Sequence, residues 1–227
     1  TISRSAQSGV AFAGSMAALV VVLLLGRFRG RLVPSRLLLA GVAIGYMLSA
    51  VTSFLQLKLT DGNGLAGVVF WLLGTLASAS WRDLTVPALA MGLSTVWLLF
   101  QARGLNALLA GEETASSLGV DVARLRLKLL VMTAILTGTS VAVAGGIGFV
   151  GLMVPHMGRL LVGSDHRRLL PVTVLIGAIF LVLVDVIARW ALRPMELPLS
   201  VITAMIGAPF FLWLMRRSGP GGVEGRS

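Results

Sequence analysis

Few side chains in this sequence are of the kinds that do chemistry, and their spacing limits what they support. Asp185 and Arg189 lie four residues apart, the separation at which a carboxylate and a guanidinium share a helix face and pair. Arg193 and Glu196 follow shortly after. The group reads either as a structural ion pair with flanking charges or as a charged patch that receives an external partner. His156 is chemically able to relay a proton or bind a ligand, but a lone histidine in VPHMGR reads first as a packed, hydrogen-bonded side chain. His166 is the only other histidine and there is no cysteine. A histidine metal cluster therefore lacks ligands, and disulfides and thiolate metal sites are excluded. GxSxG, HExxH and a Walker loop are all missing from the sequence. No two carboxylates are placed to face each other from separate apolar segments. The expectation is a protein with no catalytic residue, no cofactor and no metal of its own.

The elements that hold these residues are apolar. The chain of 227 residues is 56% hydrophobic and 12% charged, with mean hydropathy +0.93, whereas a soluble domain carries about 25% charged residues. This composition predicts an all-α integral membrane protein. The net charge of +10 fits anionic lipid facing basic loops better than nucleic acid, because no basic stripe interleaved with aromatics appears.

Apolar runs of about 20 residues mark candidate spans. They fall uncharged at residues 5–26, 37–57, 84–102 and 197–215, and at 169–188 with Asp185 near the far end. The run from Leu129 to Gly158 is too long for one crossing, about 45 Å against a hydrocarbon core of about 30 Å. It contains Gly145-Gly146 and Pro155, so two helices broken near the glycine pair are expected. The stretch from Gly62 to Trp81 is uncharged but rich in Gly, Ser and Ala, and its strongly apolar part is short. It is expected to be a short helix on the outer face. With that assignment, the basic residues divide fourteen to five between the two sides. The positive-inside rule then gives about seven spans in this chain, with the C-terminus cytoplasmic. Small residues at Ala40, Gly41, Gly45 and Ser49, and at Gly138, Ser140, Ala142 and Ala144, suit close helix packing.

Residues 103–128, RGLNALLAGEETASSLGVDVARLRLK, are the one long polar interruption. Asn106 is expected to cap a short helix, ALLAGEETASSL. Glu112 and Glu113 lie early in it, where acidic groups suit the helix dipole, and Gly119 stops it. Asp121 is expected to cap VARLRLK, which leads into the next span. The segment is acidic and poor in large apolar residues, unlike a helix resting on headgroups. It reads as a cytoplasmic knob that fits a groove on a partner.

The segments GEETASSLGVDVARLR, GGIGFVGLMVPHMGRLLVGSDHRRLLP, DVIARW and ELPLSVITAMIGAPFFLWLMRR closely resemble the FecCD-type permeases. So do PSRLLLAGVAIG and VVFWLLGTLASASW. These permeases are the transmembrane subunits of type II ABC importers for iron-siderophores, haem and vitamin B12. The similarity runs over nearly the whole chain. It implies a single permease domain over residues 1–227, with 103–128 as its coupling loop, in the inner (plasma) membrane of a prokaryote. The partners it implies are a second permease copy or paired permease, two cytoplasmic ATPases that hydrolyse ATP, and a periplasmic or lipid-anchored substrate-binding protein. Such permeases have ten helices, so the opening TISRSAQSG, which has no initiator Met, would begin at the fourth. By motif, Gly111, Glu112, Glu113, Ala115, Leu118 and Gly119 match the family's ATPase-coupling helices. Pro34 and Ser35 stand at its cytoplasmic gate, with Pro34 departing from the small polar residues found there. Arg189 matches a position that docks the binding protein. The leading expectation is import of an iron chelate, siderophore or haem. The alternatives are a cobalamin permease of the same family and, from other classes, a channel, a scaffold or a membrane-embedded enzyme.

Overall fold

A computed structural model describes residues 4–28, 31–58, 69–77, 79–191 and 196–217. The elements in order are α1 (Arg4–Gly26), a two-residue antiparallel pair β1 (Arg27–Phe28) and β2 (Arg31–Leu32), α2 (Pro34–Lys58), α3 (Thr85–Phe100), α4 (Ala102–Leu109), α5 (Glu112–Ser117), α6 (Val122–Ala144), α7 (Val150–Val162), α8 (His166–Trp190) and α9 (Leu199–Arg217). The fold is helical, as the composition predicts. By length and composition, α2, α6, α8 and α9 are sufficient to cross a membrane. A fifth candidate is α3 with α4, bent by 62° at their junction. Phe12–Gly26 of α1 and the whole of α7 are shorter apolar helices. These seven segments stand where about seven spans are expected. At 13 residues, α7 reaches only about 20 Å.

The long run from 129 to 158 breaks as expected, with α6 ending at Ala144 and α7 starting at Val150. Around this break the chain ties a knot. Thr75 N–H donates to Ala144 O (2.9 Å), Leu199 N–H to Gly74 O (2.9 Å) and Ser200 N–H to Leu73 O (3.1 Å). The Ser200 hydroxyl donates to Gly146 O (2.7 Å) and accepts from Gly148 N–H (3.4 Å). Three irregular segments thus satisfy one another's backbone groups, the requirement for non-helical chain among apolar helices. Of the stretch from 62 to 81, residues 62–68 and 78 lie outside the described residues. Residues 69–72 are helical, and the segment from 71 to 75 is the one that enters the knot.

The knot defines one end of the molecule. It joins the C-terminal end of α6, the start of α7 and the start of α9, and Leu197 N–H donates to Ala188 O near the end of α8 (3.1 Å). The opposite end carries α4, α5, the start of α6 and the α7–α8 turn. A 23-residue α6 separates the two by about 34 Å. Arg103, Arg124, Arg126, Lys128, Arg159, Arg167, Arg168 and Arg216 all belong to the second end, whereas Asp185, Arg189 and Glu196 belong to the knot end. Around this scaffold α1 packs on α6 and α2, α3 on α6 and α8, and α9 on α8 and α7.

The small residues behave differently in the two helices that carry them. Gly138 is buried against Ser15 and Phe12 of α1, so a side chain there would collide. Gly41 and Gly45 of α2 have nothing within 4 Å of where a Cβ would stand. Among the described residues, only Ala40 of α2 is buried. Leu38, Leu39, Val42, Tyr46 and Phe54 are all exposed, so α2 turns an apolar face outward.

The knot yields a prediction. Gly145 has φ +70°, and a Cβ on it would strike Trp71 O and approach Gly74 Cα at 3.0 Å. Gly145→Ala should destabilise the fold by about 2–4 kcal/mol, read as a lower unfolding temperature in detergent. Gly151→Ala, at a helical position with nothing within 4 Å, should leave that temperature unchanged or slightly raised.

Candidate functional site

The second end is built from a chain that turns sharply three times. Gln101 caps α3 at its C-terminus, and the chain bends into α4. Ala102 is fully buried, and a Cβ on Gly104 would already touch Leu125 Cδ2 at 3.3 Å, so α4 lies close on the start of α6. Gly111, at φ +107°, separates α4 from α5; a side chain would be strained in that conformation. Two bonds then close α5, Val120 N–H to Ala115 O (3.0 Å) and Gly119 N–H to Ser116 O (2.9 Å), with Gly119 at φ +82°. This is the Schellman arrangement, and glycine is the residue that enters it without strain. Asp121 caps α6, accepting from Arg124 N–H at 3.0 Å and pairing with Arg124 Nε at 2.9 Å.

The expected stop at Gly119 and cap at Asp121 are therefore present. The expected single helix ALLAGEETASSL is not: it is split at Ala110-Gly111, because Gly111 supplies the turn. Asn106 is not a cap either. It lies inside α4, and its side chain reaches across the molecule. Asn106 Nδ2 donates to Asp165 Oδ1 at 2.7 Å. Asn106 Oδ1 accepts from His166 N–H at 2.9 Å and lies 2.7 Å from His166 Nδ1. A contact spanning 60 residues of sequence leaves no local pattern from which it could be read.

The candidate loop residues separate by exposure. Ala115 is fully buried and forms the floor of α5. Glu112, Glu113, Gly111 and Gly119 are exposed, and Leu118 is 69% exposed at the tip. Glu112 pairs with Arg126 across to α6. Glu113 has no side-chain partner among the described residues. A shallow cleft between α5 and α6 is lined by Glu112, Glu113, Ser116, Val120, Asp121 and Arg126. The loop thus presents one apolar knob and an acidic rim.

The other candidates lie elsewhere. Pro34 and Ser35 are exposed and begin α2, where a proline costs no hydrogen bond. Since α2 meets the 69–73 segment near its C-terminal half, Pro34 and Ser35 stand toward the loop end. That C-terminal half forms a groove lined by Ser49, Thr52, Ser53, Gln56, Val69 and Leu72, which the sequence reading did not single out. Arg189 Nε pairs with Asp185 Oδ2 at 2.8 Å and remains half-exposed. Arg193 lies outside the described residues. His156 Nδ1 lies 3.2 Å from Leu152 O, and its ring meets Phe211 edge-on at 6.0 Å. That is the packed, hydrogen-bonded state expected of a lone histidine. Phe149, the one non-glycine at positive φ (66°) among the described residues, begins α7 and packs on Gly207 and Phe211 of α9.

The model of the FecCD transport family matches residues 1–217. The cobalamin import system permease protein BtuC of Halobacterium salinarum is 46% identical over 206 residues, which cover 91% of this chain and 55% of that protein. The hemin transport system permease protein HmuU of Yersinia pestis is 42% identical over 208 residues, 91% of this chain and 61% of that protein. Among solved structures, one described as an inward-facing conformation of a metal-chelate type ABC transporter aligns with a TM-score of 0.81 at 35% identity. That alignment covers 93% of this chain and 73% of the other. The chain thus spans a little over half the length of the curated relatives it matches.

Asp165 supplies a testable electrostatic feature of this end. Its carboxyl is held below the ordinary value of 3.8, first by the hydrogen bond from Asn106 and then by the backbone N–H of Arg167, with Arg168 and Arg167 adding favourable charge. A depressed carboxylate contributes stability above its unfolded value and loses it as pH falls through the folded value. Asp165→Ala should therefore lower the unfolding temperature at neutral pH. The gap from wild type should narrow as the pH falls through and below the ordinary carboxylate range, where the charge-dependent part is lost. Thermal unfolding of both proteins across that range checks the sign.

Proposed function

The chain belongs to the FecCD transport family, and from that premise we propose that it is the membrane-spanning permease of an ABC importer that moves a metal chelate inward. The observation that carries this reading is the α4–α5 loop. It stands at the end of the molecule that carries most of the basic residues, with Leu118 and an unpartnered Glu113 facing outward. Positive loops face the cytoplasm, so this end, with the C-terminus, lies inside. An ATPase that seats α5 in a groove can then displace it. Glu112, Glu113, Leu118 and the turn residues Gly111 and Gly119 make the contact, and buried Ala115 holds the knob's shape.

The work is conformational. Two membrane states differ in whether the inner end is sealed, and nucleotide on the partner biases them. Pro34 and Ser35 are the inner gate. The groove of α2 at Ser49, Thr52, Ser53 and Gln56 lines the path, and the outward face of α2 meets a second permease copy. At the knot end, Arg189 docks a periplasmic or lipid-anchored binding protein that delivers the cargo. An iron chelate, siderophore or haem, is the first reading of that cargo. The 46% identity to a protein named for cobalamin import favours cobalamin as the second. Uptake of a ferric siderophore, haemin and cobalamin into proteoliposomes of the assembled importer separates them.

Two substitutions test the assignment of the ends. Glu113→Arg should reduce co-purification of the ATPase by about tenfold or more, since like charge at an interface costs several kcal/mol, and should leave the helices folded. Undiminished ATPase capture by folded Glu113→Arg would remove the loop from the interface. Arg189→Glu should weaken capture of the binding protein by about tenfold. Asp185→Asn, which dissolves the ion pair but keeps the guanidinium, should change it little. Equal losses in both variants would return Arg189 to a structural role.

A further inference from the structure

Asn106 occupies the middle of α4, a position where asparagine is a mediocre helix former and where it caps nothing. Its carboxamide is spent on two groups far along the chain. Nδ2 donates to Asp165 Oδ1 at 2.7 Å, and Oδ1 accepts from His166 N–H at 2.9 Å. Asp165 Oδ1 also accepts from Arg167 N–H at 3.1 Å, so the oxygen that caps α8 is the same one that grips α4. One amide therefore bridges the loop to the first residues of a membrane-spanning helix at two points.

What lies on each side of the bridge is rigid. On the loop side, the Gly111 turn joins α5 to α4, with Gly111 N–H donating to Leu108 O at 3.2 Å, and the Schellman closure joins α5 to the turn before α6. On the other side, α8 and α7 form a close hairpin: a Cβ on Gly158 would stand 3.0 Å from both Leu169 Cδ1 and Thr173 Oγ1. α7 in turn meets α9 through Phe149 against Gly207. Among the described residues α5 also pairs with the bundle through Glu112 and Arg126, with the carboxylate 58% exposed, and solvent weakens such a pair.

We propose that Asn106 is a positioning residue whose clasp on Asp165 and His166 makes the α4–α5 loop and the α7–α8 hairpin move as one body. Displacement of the loop by its ATPase reaches the α7–α8 hairpin at this point. The inference rests on the permease reading above, and its test separates the two.

The chain has no cysteine, so paired labels are introduced at Leu24 of α1 and Leu161 of α7. Both are exposed, at 63% and 70%. Spin-label distances between them are measured in the intact protein assembled with its ATPase in liposomes, with and without ATP. The expected result is an ATP-driven distance change in the wild-type background. In Asn106→Asp, which sets two carboxylates against each other, that change should fall to about one-tenth or less, with ATPase binding and hydrolysis retained. The double variant Asn106→Asp/Asp165→Asn keeps a capping residue and re-forms the bond with donor and acceptor exchanged. It should restore the change. Asn106→Ala, which removes the amide without adding charge, carries the same expectation as Asn106→Asp if the latter does not fold. A full ATP-driven change in folded Asn106→Asp or Asn106→Ala, with only a lower unfolding temperature, would overturn the proposal in favour of a purely structural amide. Failure of the double variant to restore it would overturn the Asp165 partnership. A wild-type assembly that retains no ATPase would instead overturn the functional reading, and the clasp with it.

Discussion

The structure depends on one constraint: backbone that leaves the helix among apolar helices must find its hydrogen-bond partners within the protein. The break between Ala144 and Val150 exposes several such groups, and one small set of residues answers them. Ser200 serves twice, as donor to Gly146 O and as acceptor from Gly148 N–H. The 71–75 segment supplies the rest, and Gly74 and Gly145, both at positive φ, let the chains approach. The knot is what allows α7 to be only 13 residues long and still start at a fixed place. It also fixes where α9 begins, and through Leu197 where α8 ends.

The opposite end meets the same requirement with side chains. Asp121 and Asp165 cap two helices, and Asn106 ties the loop to the second of them. The glycines at 111 and 119 provide turns rather than close approach. Backbone pairing at one end resists deformation because each bond supports its neighbour. Side-chain pairing at the other holds short rigid pieces that meet at few points. On the permease reading, the second construction suits an end that accepts a partner and shifts with it, and the first suits an end that holds its shape.

Much of this was legible in the sequence because it is local. The spans follow from apolar runs, the break from an over-long run containing a glycine pair, and the Gly119 stop and Asp121 cap from residue type at a helix boundary. Asp185 and Arg189 pair as their spacing requires. The Asn106 clasp was invisible for the opposite reason: its partners are some 60 residues away, and asparagine before a helical run resembles an ordinary cap. Gly111 was placed within the right segment, but the split it causes between α4 and α5 depends on a positive φ that residue type permits without dictating. Small residues carried an ambiguous signal. Gly138 marks a real contact with α1, whereas Gly41 and Gly45 face open space in this chain.

That open space bears on how such a protein would be driven. A ligand shifts a conformational equilibrium only by the difference in its affinity for the two states. The groove on α2 offers a cargo three hydroxyls and an amide on an open face, with no fixed charge or metal ligand among them. On the permease reading proposed above, a large chelate gains little there that could discriminate one state from the other, and the energy that opens and closes the path enters elsewhere. The loop end is where the structure concentrates exposed, shape-defined contact surface, with Leu118 and Glu113 facing outward and a buried Ala115 beneath them. Drive at the loop, passage along α2 and delivery at the knot end are thus assigned to three separate regions. On the permease reading its residues bind, pack and transmit, which fits a sequence with few side chains able to do chemistry.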